Sequence, residues 1–126
     1  MPQLSAQRRS PRHDIVLPLL HRATPAALRV GVGWTRNLSE GGACLELTVR
    51  LPPQAPLWVH LQTDRGTIEA KAQVAWTGAP DSARGSVLHG VAFTQMSPAQ
   101  RRVLRDMLLS KSDAGQVGSA SHRTSR

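Results

Sequence analysis

The chain has few aromatic residues, a single cysteine and no long apolar run. Its 126 residues include three tryptophans, one phenylalanine and no tyrosine. Because Cys44 stands alone, an internal disulfide is excluded, which fits a reducing compartment. No apolar run approaches the length that crosses a bilayer, and the polar, basic start of the chain lacks the apolar core of a secretory signal. We therefore expect one cytoplasmic domain without a membrane-inserted segment.

Recognisable catalytic and metal-binding patterns are also missing. The eight acidic residues form no familiar local catalytic arrangement. The five histidines show neither metal-ligand spacing nor an accompanying cysteine cluster. There is no glycine-rich phosphate loop of the Walker or Rossmann kind. These absences favour a protein that is not an enzyme and that needs no metal and no cofactor.

Positive charge is in excess, with a formal net charge of +8. Such an excess suggests an anionic partner, although arginine together with abundant alanine and glycine is also typical of a GC-rich genome. The distribution of the positive charge along the chain is more informative than the net charge. Arg8, Arg9, Arg12 and His13 gather before Asp14, the first acidic residue. Residues 1–12 have no apolar periodicity and are predicted to form a flexible basic arm.

Beyond the arm the hydrophobic pattern repeats mostly every second residue, which is typical of strands with one buried face. It predicts six strands, over residues 15–20, 28–35, 43–50, 57–62, 68–76 and 87–94. The apolar positions of the second strand are Leu28, Val30, Val32 and Trp34. Those of the long fifth strand are Ile68, Ala70, Ala72, Val74 and Trp76. A loop rich in turn residues is expected over 78–85. Short strands at this spacing predict a mainly β fold, a six-stranded antiparallel β-barrel.

A helix is predicted after the last strand. Ser97 is a good N-cap, Pro98 suits the first helical position, and Gln100 follows three residues after the cap. The apolar positions that then share one helical stripe are Val103, Leu104, Met107 and Leu108. Residues 13–110 are thus expected to form a barrel with a C-terminal α-helix. Residues 111–126, rich in serine, glycine, lysine and arginine, are expected to be a disordered tail.

The segment between the second and third strands, Asn37-Leu38-Ser39-Glu40-Gly41-Gly42, is unusual in content. Asparagine tolerates a left-handed backbone, and serine can bond its own turn. Two consecutive glycines permit positive φ and let a ligand approach the backbone closely. A turn of this kind can present consecutive N–H groups to an anion, but the same residues also make an ordinary tight connection.

The arm has equally specific chemistry available to it. An arginine fork matches guanine O6 and N7 with two hydrogen bonds, stacks on flat rings and pairs with phosphate. Pro11 stiffens the spacing between Arg8 and Arg12 and keeps Ser10 extended. Taken alone, the arm could equally be a solvated basic terminus.

Together the two segments resemble the paired signature of the PilZ domain family. RxxxR at Arg8 and Arg12 is followed, 25 residues after Arg12, by NxSxxG at Asn37, Ser39 and Gly42. The strand ending Val74-Ala75-Trp76, the strand His89-Gly90-Val91-Ala92-Phe93 and the capped helix also resemble that family. The resemblance covers roughly residues 8–109 and shows no departure at the motif positions.

The resemblance implies a bacterial, non-enzymatic receptor that binds cyclic di-GMP on the outside of a six-stranded barrel. Arg8 and Arg12 would then grip guanine and phosphate groups, and Asn37, Ser39 and Gly42 would contact the other side of the nucleotide. Binding that orders the arm would change its shape and surface, and we expect this change to relay the second-messenger level to a downstream protein partner.

Arg9 and Trp76 complete the expected ligand-binding set. By the resemblance Arg9 would assist the two motif arginines. Trp76, at the end of a strand, could stack on a base or could close the core of the barrel. Trp34 and Trp58 are assigned to packing or surface roles.

Two other readings remain open. A basic barrel could bind nucleic acid in the manner of an OB fold, but single-strand binders stack bases on aromatic platforms that this chain largely lacks, so no nucleic-acid partner is expected. A PilZ-like adaptor that works only through protein contacts is the second reading, and the intact motifs argue against it.

Overall fold

The structure is a closed antiparallel barrel with one helix at its end, given by a computed structural model that describes residues 11–125, with side chains described through Lys111. The strands are β1 (Pro18–Arg22), β2 (Gly31–Leu38), β3 (Gly42–Leu47), β4 (Pro56–Thr63), β5 (Gly66–Asp81) and β6 (Ser86–Gln95). Their order around the barrel is β1-β2-β3-β6-β5-β4, and pairing of β1 with β4 closes it. The mainly β barrel with a C-terminal helix, predicted from the sequence, is confirmed.

Alternating apolar residues of β3, β4 and β5 fill the barrel. Their side chains are at most 2 % exposed and belong to one core: Ala43, Leu45, Leu47, Leu57, Val59, Leu61, Ile68, Ala70, Ala72 and Val74. Because the positions between them face outward, each of these strands shows the period of two that predicts it. The interior is therefore packed with side chains, and the outer surface is left for binding.

The second strand has the opposite orientation from the one its apolar pattern suggests. Val32 and Trp34 are about half exposed, while Gly33 and Thr35, which alternate with them, are buried. A Cβ at Gly33 would lie 2.5 Å from the carbonyl oxygen of Glu46, so the neighbouring strand approaches too closely for a side chain there. Thr35 is accommodated because its hydroxyl donates to the Ile15 carbonyl at 2.6 Å. The apolar row of β2 therefore lies outside the core.

The helix α1 (Pro98–Ser125) begins where the sequence predicts. The Ser97 hydroxyl accepts a hydrogen bond from the Gln100 backbone N–H at 3.2 Å, as an N-cap does. The Gln100 side chain accepts from the Glu69 backbone N–H of β5 at 2.8 Å and so ties the helix to the barrel. The helix buries its apolar stripe at Leu104, Met107 and Leu108.

The helix continues to Ser125, through residues 111–125 for which the sequence predicts a disordered tail. Extending an existing helix adds one hydrogen bond for each residue fixed and avoids the cost of nucleation, which explains how a segment of weak helix formers follows the packed turns. Within residues 11–125 no helix is both long enough and apolar enough to cross a membrane.

His89 is a fully buried polar residue inside the barrel wall. Its Nε2 accepts from the Leu51 backbone N–H at 2.9 Å, and its Nδ1 lies 3.1 Å from the Val87 carbonyl oxygen. One nitrogen therefore accepts and the other donates, which is the pattern of a neutral ring. Burial lowers the pKa of His89 and also that of the nearby His21.

We expect the barrel to lose stability as the pH falls below about 6.5. In that range His89 and His21 bind protons in the unfolded chain more readily than in the folded one, so protonation favours unfolding. In His89→Gln the pH dependence of the unfolding free energy should become shallower, by up to about 1.4 kcal/mol per pH unit. Urea unfolding between neutral and mildly acidic pH measures this slope. The same slope in the parent and in His89→Gln would contradict the assignment of a buried neutral histidine.

Candidate ligand-binding site

The structure joins the end of the arm to the turn that follows β2. The Arg12 Nη1 donates to the Asn37 Oδ1 at 2.8 Å. The next residues along both segments pair as well, since the backbone N–H groups of His13 and Leu38 each donate to the other's carbonyl at 2.9 Å. One residue from each sequence motif is therefore in direct contact. Arg8 and Arg9 lie outside the described residues.

A β-bulge places two consecutive residues of β2 on the outer surface. Thr35 pairs with Leu45, whereas Asn37 pairs with Cys44, so β2 has one extra residue at Arg36. A bulge of this kind re-aims side chains and is frequent beside binding sites. Arg36 is exposed and forms an ion pair on the outer face, and Asn37 turns toward Arg12. The bulge thus adds an arginine beside the predicted Asn37.

Ser39 closes its own turn. Its hydroxyl accepts from the backbone N–H groups of Gly41 and Gly42, at 3.3 and 3.2 Å, and donates to the Gly42 carbonyl at 3.2 Å. The side chain is only 5 % exposed. These bonds use the donor and the acceptors of the hydroxyl within the turn. Ser39 therefore shapes the loop that carries Asn37.

Gly42 is required by the neighbouring strand. A Cβ there would lie 2.2 Å from the Val91 carbonyl oxygen of β6. Among the described residues, the glycines with positive φ are Gly66 and Gly85, so the left-handed backbone that the sequence suggests for this turn is not what selects glycine here. Gly41, in contrast, is exposed, and a Cβ there would meet nothing within 4 Å. Gly41 therefore leaves space beside the turn, while its N–H donates to the Ser39 hydroxyl and its carbonyl accepts from the Phe93 N–H.

A second bulge brings Trp76 to the same outer face. Val74 pairs with Val91 and Trp76 pairs with Gly90, so Ala75 is the extra residue and the alternation reverses. Trp76 is 47 % exposed and lies outside the core. A Cβ at Gly90 would lie 2.0 Å from the indole nitrogen, so the ring rests directly on the Gly90 backbone. The structure decides between the two roles open to Trp76 in favour of a surface position.

Asn37 and Trp76 stand at the two ends of one row across the barrel wall. Asn37 pairs with Cys44, Cys44 with Gly90, and Gly90 with Trp76. Three strand spacings separate the ends, about 14 Å. Cys44 and Gly90, the small residues between these ends, are both buried, and the indole of Trp76 lies over Gly90. Burial raises the pKa of the Cys44 thiol, so this position carries no thiolate to repel an anion.

Glu46 organises the charges beside this row. Its carboxylate accepts from the Ser86 hydroxyl at 2.6 Å, from Arg36 at 3.0 Å and from Arg84 at 3.2 Å. The Ser86 hydrogen bond, with help from the two arginines, lowers the pKa of Glu46 to about 2. The carboxylate stays ionised and fixes both guanidinium groups on the outer face of the barrel.

The arrangement offers planar and cationic groups to a ligand. Arginine forks suit guanine edges and phosphate, and an exposed indole suits an aromatic base. The sequence singled out Arg12, Asn37 and Trp76, and the structure places them on one surface. The sequence did not single out Arg36, Cys44, Glu46 or Gly90. Only the position of Arg36 directly before Asn37 offered a signal for this group.

Solved structures share this fold at low sequence identity. MotI/DgrA, the inhibitor of motility of Bacillus subtilis, superposes with a TM-score of 0.69 at 16% identity, over 83% of this chain and 51% of that one. The PilZ domain of YcgR from Escherichia coli, solved with c-di-GMP, gives 0.64 at 17% identity, over 88% and 97%. MrkH of K. pneumonia, solved as a c-di-GMP complex, gives 0.64 at 16% identity, over 86% and 53%.

This chain spans about half the length of MotI and of MrkH, and nearly all of the YcgR PilZ domain. No curated protein matches it significantly. The sequence model of the PilZ domain, however, matches residues 6–110, which include both motifs and the whole barrel. The chain belongs to the PilZ domain family.

Proposed function

We propose that this protein is a cytoplasmic, non-enzymatic receptor for cyclic di-GMP. The observation that carries the proposal is the hydrogen bond between Arg12 and Asn37, which joins the two motifs at one point on the barrel surface. YcgR and MrkH, which share the fold, were solved with c-di-GMP. Membership of the PilZ family adds support that fold alone would not give.

The ligand would lie along the row from Arg12 to Trp76. Arg12, assisted by Arg8 and Arg9 of the arm, would bind guanine and phosphate groups, and Asn37 would orient Arg12. Trp76 would stack on a base at the far end of the row. The absence of a side chain at Gly41 would leave room for a phosphate beside the turn.

Ser39 and Gly42 would act by shaping the turn. The hydroxyl of Ser39 holds the backbone of Gly41 and Gly42 in place, and Gly42 lets β6 approach. The output would be a change in the position of the arm, because Arg8 and Arg9 would move onto the nucleotide and alter the surface offered to a downstream protein.

Calorimetric titration with cyclic di-GMP tests the proposal directly. We expect a dissociation constant of about 1 µM or tighter, near −8 kcal/mol. GTP and single-stranded DNA serve as controls and should bind far more weakly. Absence of detectable heat with cyclic di-GMP would reject the receptor function, and tight binding of DNA would favour a nucleic-acid-binding barrel.

Replacement of Arg12 separates guanidinium geometry from charge. Arg12→Lys keeps the charge but loses the planar fork, so it should weaken cyclic di-GMP binding nearly as much as Arg12→Ala, by about 1–3 kcal/mol. The melting temperature should hardly change, since Arg12 is exposed. Arg65→Ala, which removes an exposed arginine from the β4–β5 turn, is the matched control and should leave affinity unchanged. If Arg12→Lys bound cyclic di-GMP as tightly as the parent, Arg12 would act through its charge alone, and the proposed role of the planar guanidinium group would be wrong.

Replacements in the turn should divide into two kinds. Ser39→Ala removes the acceptor for two backbone N–H groups, so we expect the unfolding free energy to fall by about 1–3 kcal/mol together with the affinity. Asn37→Ala removes one bond to an exposed arginine, and stability should change by less than about 1 kcal/mol while affinity falls several-fold. Thermal melts and titrations of the two variants measure this division. Equal losses of stability would contradict the distinction between a serine that shapes the turn and an asparagine that orients Arg12.

A further inference from the structure

We propose that the outer face of β1 and β2 is a docking surface for a protein partner whose apolar strip is bordered by carboxylates. This surface is separate from the row between Arg12 and Trp76, and the proposal does not depend on nucleotide binding. The proposal accounts for the apolar residues of β2, which point away from the core.

Exposed apolar side chains concentrate in β1, in β2 and in the residues next to them. Among the described residues, six of the ten large hydrophobic side chains that are exposed fall within residues 16–34: Val16, Leu20, Leu28, Val30, Val32 and Trp34. Cross-strand pairing places Leu20 beside Val32 and Pro18 beside Trp34, so the strand residues form a continuous patch. Soluble proteins scatter single exposed hydrophobic residues, whereas a contiguous patch marks an interaction site.

The patch is concave. A groove of about 400 Å³ runs between the side chains of Pro18, Leu20, Val32 and Trp34, with Gln62 of β4 at one side. Leu19 and Gly33, which face the barrel interior, line it from below. A concave apolar surface receives projecting side chains, whereas a membrane-binding surface has to project its own apolar groups into the lipid. The shape therefore favours a protein segment over a bilayer.

The charged residues of β1, β2 and the loop that joins them indicate the kind of protein. No acidic residue occurs between Asp14 and Glu40, whereas Arg22, Arg29 and Arg36 all lie in that stretch. Glu46, which lies opposite Trp34 on β3, is paired with Arg36 and Arg84, but Arg22 and Arg29 take part in none of the ion pairs among the described residues. If a second copy of this chain bound the same face, the unpaired arginines of the two copies would repel each other. A partner with Asp or Glu beside its apolar residues is complementary.

Selection from a random library of short peptides displayed on phage tests the proposal. We expect enriched peptides to carry two or more apolar residues flanked by Asp or Glu. They should bind Trp34→Ser and Arg29→Glu at least about tenfold more weakly than the parent. Leu109→Ser, which removes an exposed leucine from α1, is the matched control and should bind like the parent. Because Trp34 points outward, Trp34→Ser should keep the melting temperature, and titration with cyclic di-GMP checks the nucleotide site independently.

Four results would overturn the proposal. The first is selection that enriches no peptide, and the second is selection of peptides that bind Trp34→Ser as well as the parent. The third is a dimer seen by sedimentation that Trp34→Ser dissociates, which would assign the face to a second copy. The fourth is binding to phosphatidylglycerol vesicles that Trp34→Ser abolishes, which would assign it to a membrane.

Discussion

Strand β1 pairs with β2 on one side and with β4 on the other, and this double pairing closes the barrel. Closure leaves no free sheet edge within the ring of six strands and turns one face of every strand toward a packed interior. Leu45, Leu61, Ile68 and Val74 are fully buried there. With the interior occupied, binding depends on side chains that reach the outer face, and the regular alternation of a strand limits which ones do.

Two bulges relax that limit where the candidate site lies. The extra residue at Arg36 lets β2 present Arg36 and Asn37 together, and the extra residue at Ala75 turns Trp76 outward. The small residues Cys44 and Gly90 lie between them, and the lack of a side chain at Gly90 lets the indole lie against its backbone. Each bulge disrupts the hydrogen-bond ladder locally. The bulge in β2 adds a cationic group to the outer face, and the bulge in β5 adds an aromatic one. The geometry of the site thus comes from departures from the regular barrel.

Local patterns account for what the sequence predicted well. The six strands and the Ser97 cap are encoded by neighbouring residues, and the paired motifs are short enough to read directly. The orientation of β2 is different, because it depends on how closely Glu46 of β3 approaches Gly33. The position of Trp76 depends on pairing with β6, and the Glu46 cluster joins residues up to 40 positions apart. Interactions between distant strands carry no periodic signal in one sequence.

The central claim is that the arm and the turn form one binding site through the contact of Arg12 with Asn37. A double-mutant cycle on cyclic di-GMP affinity, with Arg12→Ala, Asn37→Ala and the combined variant, measures it most directly. If Asn37 acts by orienting Arg12, the combined variant should bind only slightly more weakly than Arg12→Ala, with a coupling energy of about 1 kcal/mol or more. Strictly additive losses would mean that the two residues act independently and would contradict the claim.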